Sequence, residues 1–314
     1  MKRIAAVLAM ISFAFVSGGG APPVVAEPTL DIAREGDSLW IRRDGQNLLR
    51  YRFQEVPYKP YVQEWYSPSG VNILRDSPAD HKHHHALMFA TKVDGVNFWE
   101  EQEAPGLQVH QDFDALETGS TGDTTYARII QRLNWVNPSS GEVLLQETRA
   151  ITVYDSGTPA LLTWESRFSV PPGKDKATLG GAHYHGLGMR FVESMDTVGA
   201  FTVPEGELGE LVRGDEHLTA GPWCAYTAPA GGHDMTVALF DDPGNVRPAR
   251  WFTMKEHFAY LSATVNIWRE PLEVTQGKPL VLRYGAALWD SSVEKGQIES
   301  THRRWLDLAG PQKQ

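Results

Sequence analysis

The chain has 314 residues with 29 basic and 39 acidic side chains, a formal charge of −10, and 41% hydrophobic residues. This is globular composition rather than that of a disordered chain, and the acidic balance excludes the Lys/Arg surface that nucleic-acid binding needs. A single cysteine, Cys224, excludes an internal disulfide framework and any multi-cysteine zinc or iron–sulfur site.

At the N-terminus, Lys2 and Arg3 precede an apolar run from Ile4 to Val16, followed by small residues up to Ala26. That order is a secretory signal, with cleavage expected after Ala26 and residues 27–314 forming one domain. The apolar run is shorter than the roughly 20 residues of a membrane span, and no later segment qualifies. The expected location is therefore periplasmic or secreted.

Strand signals dominate the remainder. Leu144–Tyr154 alternates and ends at Asp155-Ser156-Gly157; Ala160–Val170 follows and ends at Pro171-Pro172-Gly173. The pair predicts two antiparallel strands joined by a tight turn. Asn137-Pro138-Ser139-Ser140-Gly141 and Asp241-Asp242-Pro243-Gly244-Asn245 predict further turns. Helical periodicity is confined to the end, where Ser291-Ser292-Val293-Glu294 reads as a capping box and Ile298, Trp305 and Leu308 as a buried stripe. Short strands with Gly/Pro turns predict an all-β fold, a large antiparallel β-sandwich with a short C-terminal helix.

Histidines are concentrated in two places, Asp80-His81-Lys82-His83-His84-His85 and His183-Tyr184-His185. Read as strands, the spacing predicts that His81, His83 and His85 share one face, and that His183 and His185 point the same way. A sandwich can bring the two segments together. Such clusters suit two chemistries. Neutral imidazoles can bind one divalent transition metal, with His81, His83 and His185 as the candidate ligands. Alternatively they transfer protons near neutral pH. Leu87–Ala90 reads as a core strand, and Asp94–Trp99 as a turn and return strand that places Asn97 and Trp99 beside the histidines. An amide and an aromatic face suit a sugar with one apolar ring face.

Several stretches resemble a bacterial family labelled PmoA-like. They are Ser67-Pro68-Ser69-Gly70, the Asp80–His84 run, Asp94-Gly95-Val96-Asn97-Phe98-Trp99, His185-Gly186-Leu187-Gly188-Met189-Arg190, Trp223-Cys224-Ala225-Tyr226, Asp242-Pro243-Gly244-Asn245 and Pro248-Ala249-Arg250-Trp251-Phe252. The resemblance spans about residues 50 to 290. Lys82, His85 and Ala86 stand where the family pattern has Pro, Arg and Gly. The change at His85 removes a fixed cation. The resemblance implies a β-sandwich of the galactose-mutarotase type, a supersandwich, and a carbohydrate substrate. It does not imply a membrane monooxygenase subunit, for which spanning helices would be needed.

The expected function is that of an exported carbohydrate-active enzyme, a lyase, hydrolase or epimerase working on an oligosaccharide. His83 and His84 would transfer protons or orient substrate, and His185 would be the partner acid or base. Arg190 would hold a carboxylate, sulfate or oxyanion. Asn97, Trp99, Trp223 and Tyr226 would line the sugar site. Glu147 and Glu165 are the candidate strand carboxylates, but no clear acid pair for ordinary glycoside hydrolysis stands out. The alternatives are a metal-dependent enzyme and a non-catalytic carbohydrate-binding protein.

Overall fold

The computed structural model describes residues 29–312. The leader expected over residues 1–26 lies outside the described residues.

The expected hairpin forms: Val143–Asp155 pairs with Ala160–Ser169, in register from Gln146 opposite Ser169 to Tyr154 opposite Leu161. Its alternation places Leu145, Ile151 and Val153 in the interior, while Thr152 and Tyr154 face outward. This hairpin is the middle of an eight-stranded antiparallel sheet. The sheet ends at the 15-residue edge strand Leu107–Thr121, which pairs with Thr124–Val136 through two register shifts, between His110 and Asp112 and between Phe113 and Ala115.

Opposite it lies a ten-stranded sheet whose middle strands are Leu87–Ala90, Gly186–Arg190, Tyr260–Thr264 and Arg250–Met254. The two sheets meet as a sandwich. Phe89 from one packs against Trp135 and Phe168 from the other. Burial of such aromatic and aliphatic side chains is the main driving force for the fold.

The interior also holds charge. Arg149 and Glu147 are 1% and 2% exposed. All five N–H groups of Arg149 are used, on both Glu147 oxygens, Tyr51 Oη, the Pro60 carbonyl and Gln108 Oε1, at 2.8–3.2 Å. Glu147 also accepts from Trp135 Nε1 at 2.8 Å and Ser166 Oγ at 2.6 Å. A paired, fully hydrogen-bonded ion is the form in which an interior accepts charge.

The C-terminal helix, Lys295–Ala309, covers the outer face of the eight-stranded sheet. Ile298 and Trp305 are buried there, and Trp305 Nε1 donates to Thr163 Oγ1 at 2.8 Å. Leu308 is only half-buried. The expected capping box is absent: Glu294 occupies the N-cap position with no side-chain bond.

Candidate functional site

The histidine run is not a strand. His81 N donates to the Pro78 carbonyl and His84 N to the His81 carbonyl, both at 2.9 Å. These are successive turns, closed by left-handed backbone at Ser77 and Ala86, each with φ of 48°. Turn geometry brings positions i and i+3 together, so His81 stacks on His84 with centroids 4.8 Å apart, and His83 meets His84 edge-on at 4.5 Å. His85 leaves on the other side. It stacks on Tyr61 and lies between Asp76 Oδ1 at 3.1 Å and Glu101 Oε1 at 2.7 Å. The expected face of His81, His83 and His85 is thus replaced by a cluster of His81, His83 and His84, because the local period is that of a turn.

Residues 183–185 also form a turn, with His185 N donating to the Ala182 carbonyl at 3.2 Å. Their side chains go to different partners. His183 Nε2 is 2.7 Å from Glu216 Oε2. The Tyr184 hydroxyl donates to Glu100 Oε1 at 2.5 Å. His185 lies flat on Trp99, 5.1 Å between centroids and 12° between planes, fully buried, with Nε2 3.5 Å from Glu100 Oε1. That separation is long for a hydrogen bond. The preceding Gly181 is required here. Its φ is +139°, and a Cβ would stand 2.1 Å from His185 Nδ1.

The two turns converge on a cavity of about 560 Å³ above the ten-stranded sheet, on the face turned away from the eight-stranded one. The first turn contributes Asp80, His81, His83 and His84, and the second contributes Tyr184. The sheet supplies Arg213, Glu216, Phe252, Met254 and Tyr260, and a neighbouring loop supplies His257 and Phe258. Trp99 and Glu100 complete the lining. Tyr260 lies across Gly188, where a Cβ would be 2.1 Å from its hydroxyl; only glycine leaves that space.

Asn97 shapes the Trp99–Glu100 segment from beneath rather than lining the cavity. Its Oδ1 accepts from Trp99 N at 2.9 Å and Glu100 N at 3.2 Å, and its Nδ2 donates to Glu100 Oε2. Behind the segment, the fully buried Lys59 is 2.5 Å from Glu101 Oε1 and donates to the Trp99 carbonyl at 3.4 Å.

These surroundings set protonation. Burial penalises the Glu100 carboxylate, but the donors His185, Tyr184 and Asn97 outweigh it and hold its pKa well below the usual range. Burial depresses His83, helped by the nearby charges of His81 and Lys59. Burial depresses His84 much further, with the other histidines and Arg190 adding to it. Burial raises the Tyr184 and Tyr260 hydroxyls, and hydrogen bonding to Glu100 raises Tyr184 more. Near neutral pH the cavity presents neutral imidazoles at His83 and His84, protonated phenols at Tyr184 and Tyr260, and an ionised carboxylate at Glu100.

Other expected site residues lie elsewhere. Arg190 is 1% exposed, bidentate to Asp196 at 2.7 and 3.0 Å, and stacked 4.1 Å from the Phe258 ring centroid. It supports the cavity wall, with its charge already matched. Trp223 is buried under the C-terminal helix, on the outer face of the eight-stranded sheet. Tyr226 is buried in the core against Phe191, with its hydroxyl donating to the Met195 carbonyl at 2.6 Å. Neither reaches the cavity, because their strand belongs to the sheet opposite the one that bears it. Glu147 is in the interior network, and Glu165 is on the outer face of the same sheet, 3.8 Å from Arg283. The His81, His83 and His185 ligand set does not assemble, since His185 is layered under Trp99. Among the described residues no group of three or more His, Cys, Asp or Glu side chains is placed to hold a metal ion.

Sequence reasoning missed Glu100, Tyr184, Glu216, Arg213 and Tyr260. Two were within reach of it: Glu100 directly follows Trp99, and Tyr184 stands between two singled-out histidines. Nothing local marks the other three.

Among solved structures, the chain is similar to an α-galactosidase from Lactobacillus brevis, at 6% identity over 90% of this chain and 42% of that one, with a TM-score of 0.50. It is also similar to a GH36 α-galactosidase from Geobacillus stearothermophilus (12% identity, 84% of this chain and 41% of that one, TM-score 0.47). A third is a candidate aldose 1-epimerase from Klebsiella pneumoniae subsp. pneumoniae (10% identity, 91% and 88%, TM-score 0.46). The chain spans less than half the length of either α-galactosidase. No curated protein matches it. The expected PmoA-like label is not what the family comparison returns: the model that matches covers residues 38–303, and the chain belongs to that family, a family of unknown function (DUF6807).

Proposed function

We propose that the protein is an exported enzyme that binds a carbohydrate in this cavity and acts on it by proton transfer. The observation that carries the reading is the shared cavity itself. Neutral His83 and His84, the phenols of Tyr184 and Tyr260, and ionised Glu100 face one space of about 560 Å³, lined by Trp99, Phe252 and Phe258. Such a volume is within the range of small-molecule sites, and aromatic walls suit the apolar faces of a sugar.

His83 is the proposed base, since it is only half-buried and holds a free pair of electrons. Tyr184 is the proposed acid: its one proton, held on Glu100 Oε1 in the free cavity, would turn to the substrate oxygen. Tyr260 and His84 would bond sugar oxygens from the floor. Two-carboxylate hydrolysis fits less well: Glu100 is ionised, and Glu216 is tied to both His183 and Arg213, so neither is a protonated acid. Epimerisation or β-elimination, each starting with removal of a proton from a sugar carbon, fits the inventory better. The resemblance of the histidine run to PmoA-like domains and the fold shared with an α-galactosidase are compatible with a carbohydrate role, although fold by itself assigns no activity.

The test is to incubate oligosaccharides with the full chain in deuterated water. Solvent deuterium entering a sugar carbon, or an unsaturated ultraviolet-absorbing product, is the expected result. His83→Ala and Tyr184→Phe are each expected to lower turnover by about 10²-fold or more with the circular dichroism spectrum unchanged. Turnover that persists in both variants overturns these roles, and binding without turnover of any glycan makes the chain a binding protein. Export is tested separately: the mature protein is expected to begin at Glu27.

A further inference from the structure

The cavity carries an imbalance of charge that bears on its ligand. Asp80, Glu100 and Glu216 line it against one guanidinium, that of Arg213. Arg213 is already committed to Glu216, at 2.5 and 3.1 Å. The cations behind the walls are committed too: Lys59 to Glu101, and Arg190 to Asp196. His85 lies between two carboxylates. Of the groups beside Glu100, the Tyr184 hydroxyl and Asn97 amide carry no charge, and His185, 3.5 Å away and fully buried, is depressed by that burial toward its neutral form. His83 and His84 are held neutral. Glu100 therefore keeps a negative charge without a cationic partner inside a partly desolvated cavity, and Asp80 adds a second at the rim. In such a setting Coulomb terms act at reduced screening, and the chain's overall charge of −10 extends the same field into solvent.

We propose that this cavity selects uncharged and amine-bearing saccharides and rejects uronic, sulfated and phosphorylated ones, with Glu100 as the specificity-determining residue. The inference rests on the carbohydrate reading above and narrows it to epimerisation, because β-elimination needs a uronic carboxylate beside the carbon that loses its proton. It also replaces the sequence expectation that Arg190 holds a carboxylate or sulfate, because both Arg190 terminal nitrogens are taken by Asp196. A ligand amine would find Glu100 and the aromatic walls of Tyr184, Trp99 and Phe258, the surroundings that favour a cation.

The experiment is glycan binding by the purified full chain, at neutral pH and low salt, on an array where each backbone is present in neutral, amino and uronic forms. On any backbone that binds, the uronic form is expected to be at least about tenfold weaker than the neutral one, which is the order of one unscreened charge contact. Glu100→Gln is expected to narrow that gap about threefold or more and to remove any preference for the amine. Asp80→Asn changes an exposed residue with no burial at stake and is expected to narrow it too, by an amount that vanishes in high salt. Uronic forms that bind as tightly as neutral ones, or a gap unchanged in both variants, overturn the inference while leaving the carbohydrate reading intact. Binding of no glycan overturns both.

Discussion

Two clusters of buried polar side chains differ in how fully they are satisfied. Around Arg149 and Glu147, between the sheets, every N–H of the guanidinium and both carboxylate oxygens are bonded. Around the cavity, His84 Nδ1, Trp99 Nε1, His185 Nδ1 and the Tyr260 hydroxyl are buried with no partner. An unmade hydrogen bond on a buried group costs about 1–3 kcal/mol. The first cluster therefore holds the sandwich together, while the second is held in place by its surroundings and left incomplete, as a surface prepared for a polar ligand is.

The largest expected effect comes from breaking the satisfied cluster. Arg149→Met leaves Glu147 buried without its cation and is expected to cost about 3–5 kcal/mol in urea unfolding; a loss below about 1 kcal/mol would show the network to be dispensable. Next is Gly181→Ala, which places a methyl against His185 in a backbone conformation that L residues avoid. A loss of about 2 kcal/mol is expected from the strain, with altered tryptophan fluorescence as Trp99 loses its stacked partner.

A smaller effect is tied to pH. The folded pKa of His84 lies below 6.5. As pH falls through that value, the unfolded chain takes up a proton that the folded chain refuses, so stability is lost, by at most about 1.4 kcal/mol per pH unit for one proton. His85 opposes this, because hydrogen bonds to Asp76 and Glu101 outweigh its burial and raise it. Asp241, pushed up to about 6 chiefly by burial, opposes it as well: from about 6 down toward 3.8 the folded state binds the extra proton. The discriminating quantity is the change on His84→Asn, which should flatten the acid side of a melting-temperature profile taken between about pH 5 and 7.5. An unchanged profile would place the titration elsewhere. The smallest expected change is in Tyr260→Phe. Removing a buried, unpartnered hydroxyl should raise stability, by about 1 kcal/mol, whereas glycan affinity should fall several-fold. A large stability loss would mean that the hydroxyl is structural and the contrast between the clusters is false.

The sandwich was legible because its signals are local. Alternation over much of 144–154 and 160–170 favours the register that buries Leu145 and Ile151, and Asp94-Gly95 supplies the positive φ values, 48° and 84°, that its hairpin turn needs. The site was half legible. The two histidine segments do meet at one cavity, but the period was misread: Pro78 and the left-handed Ser77 and Ala86 make a turn, and a turn pairs 81 with 84 rather than with 85. Trp223 and Tyr226 were attractive as aromatics, yet a single sequence does not say which sheet a strand joins. Glu216 and Tyr260 reach the cavity only through long-range pairing, of Glu216–Ala220 with Arg250–Met254 and of the latter with Tyr260–Thr264, which no local pattern encodes.

The edge strand Leu107–Thr121 has a further consequence. A 15-residue strand with one free side is an open template on which another chain could polymerise. Here its row of amides is bent twice, at His110–Asp112 and Phe113–Ala115, and Asp112, Asp114 and Glu117 stand along it. An incoming strand would meet a kinked backbone and the ion pairs of Asp112 and Asp114 with Arg132 and of Glu117 with Arg128, which it would have to desolvate. The protein should therefore stay dispersed when concentrated, and straightening that edge by deleting the two bulge residues would be the shortest route to fibres.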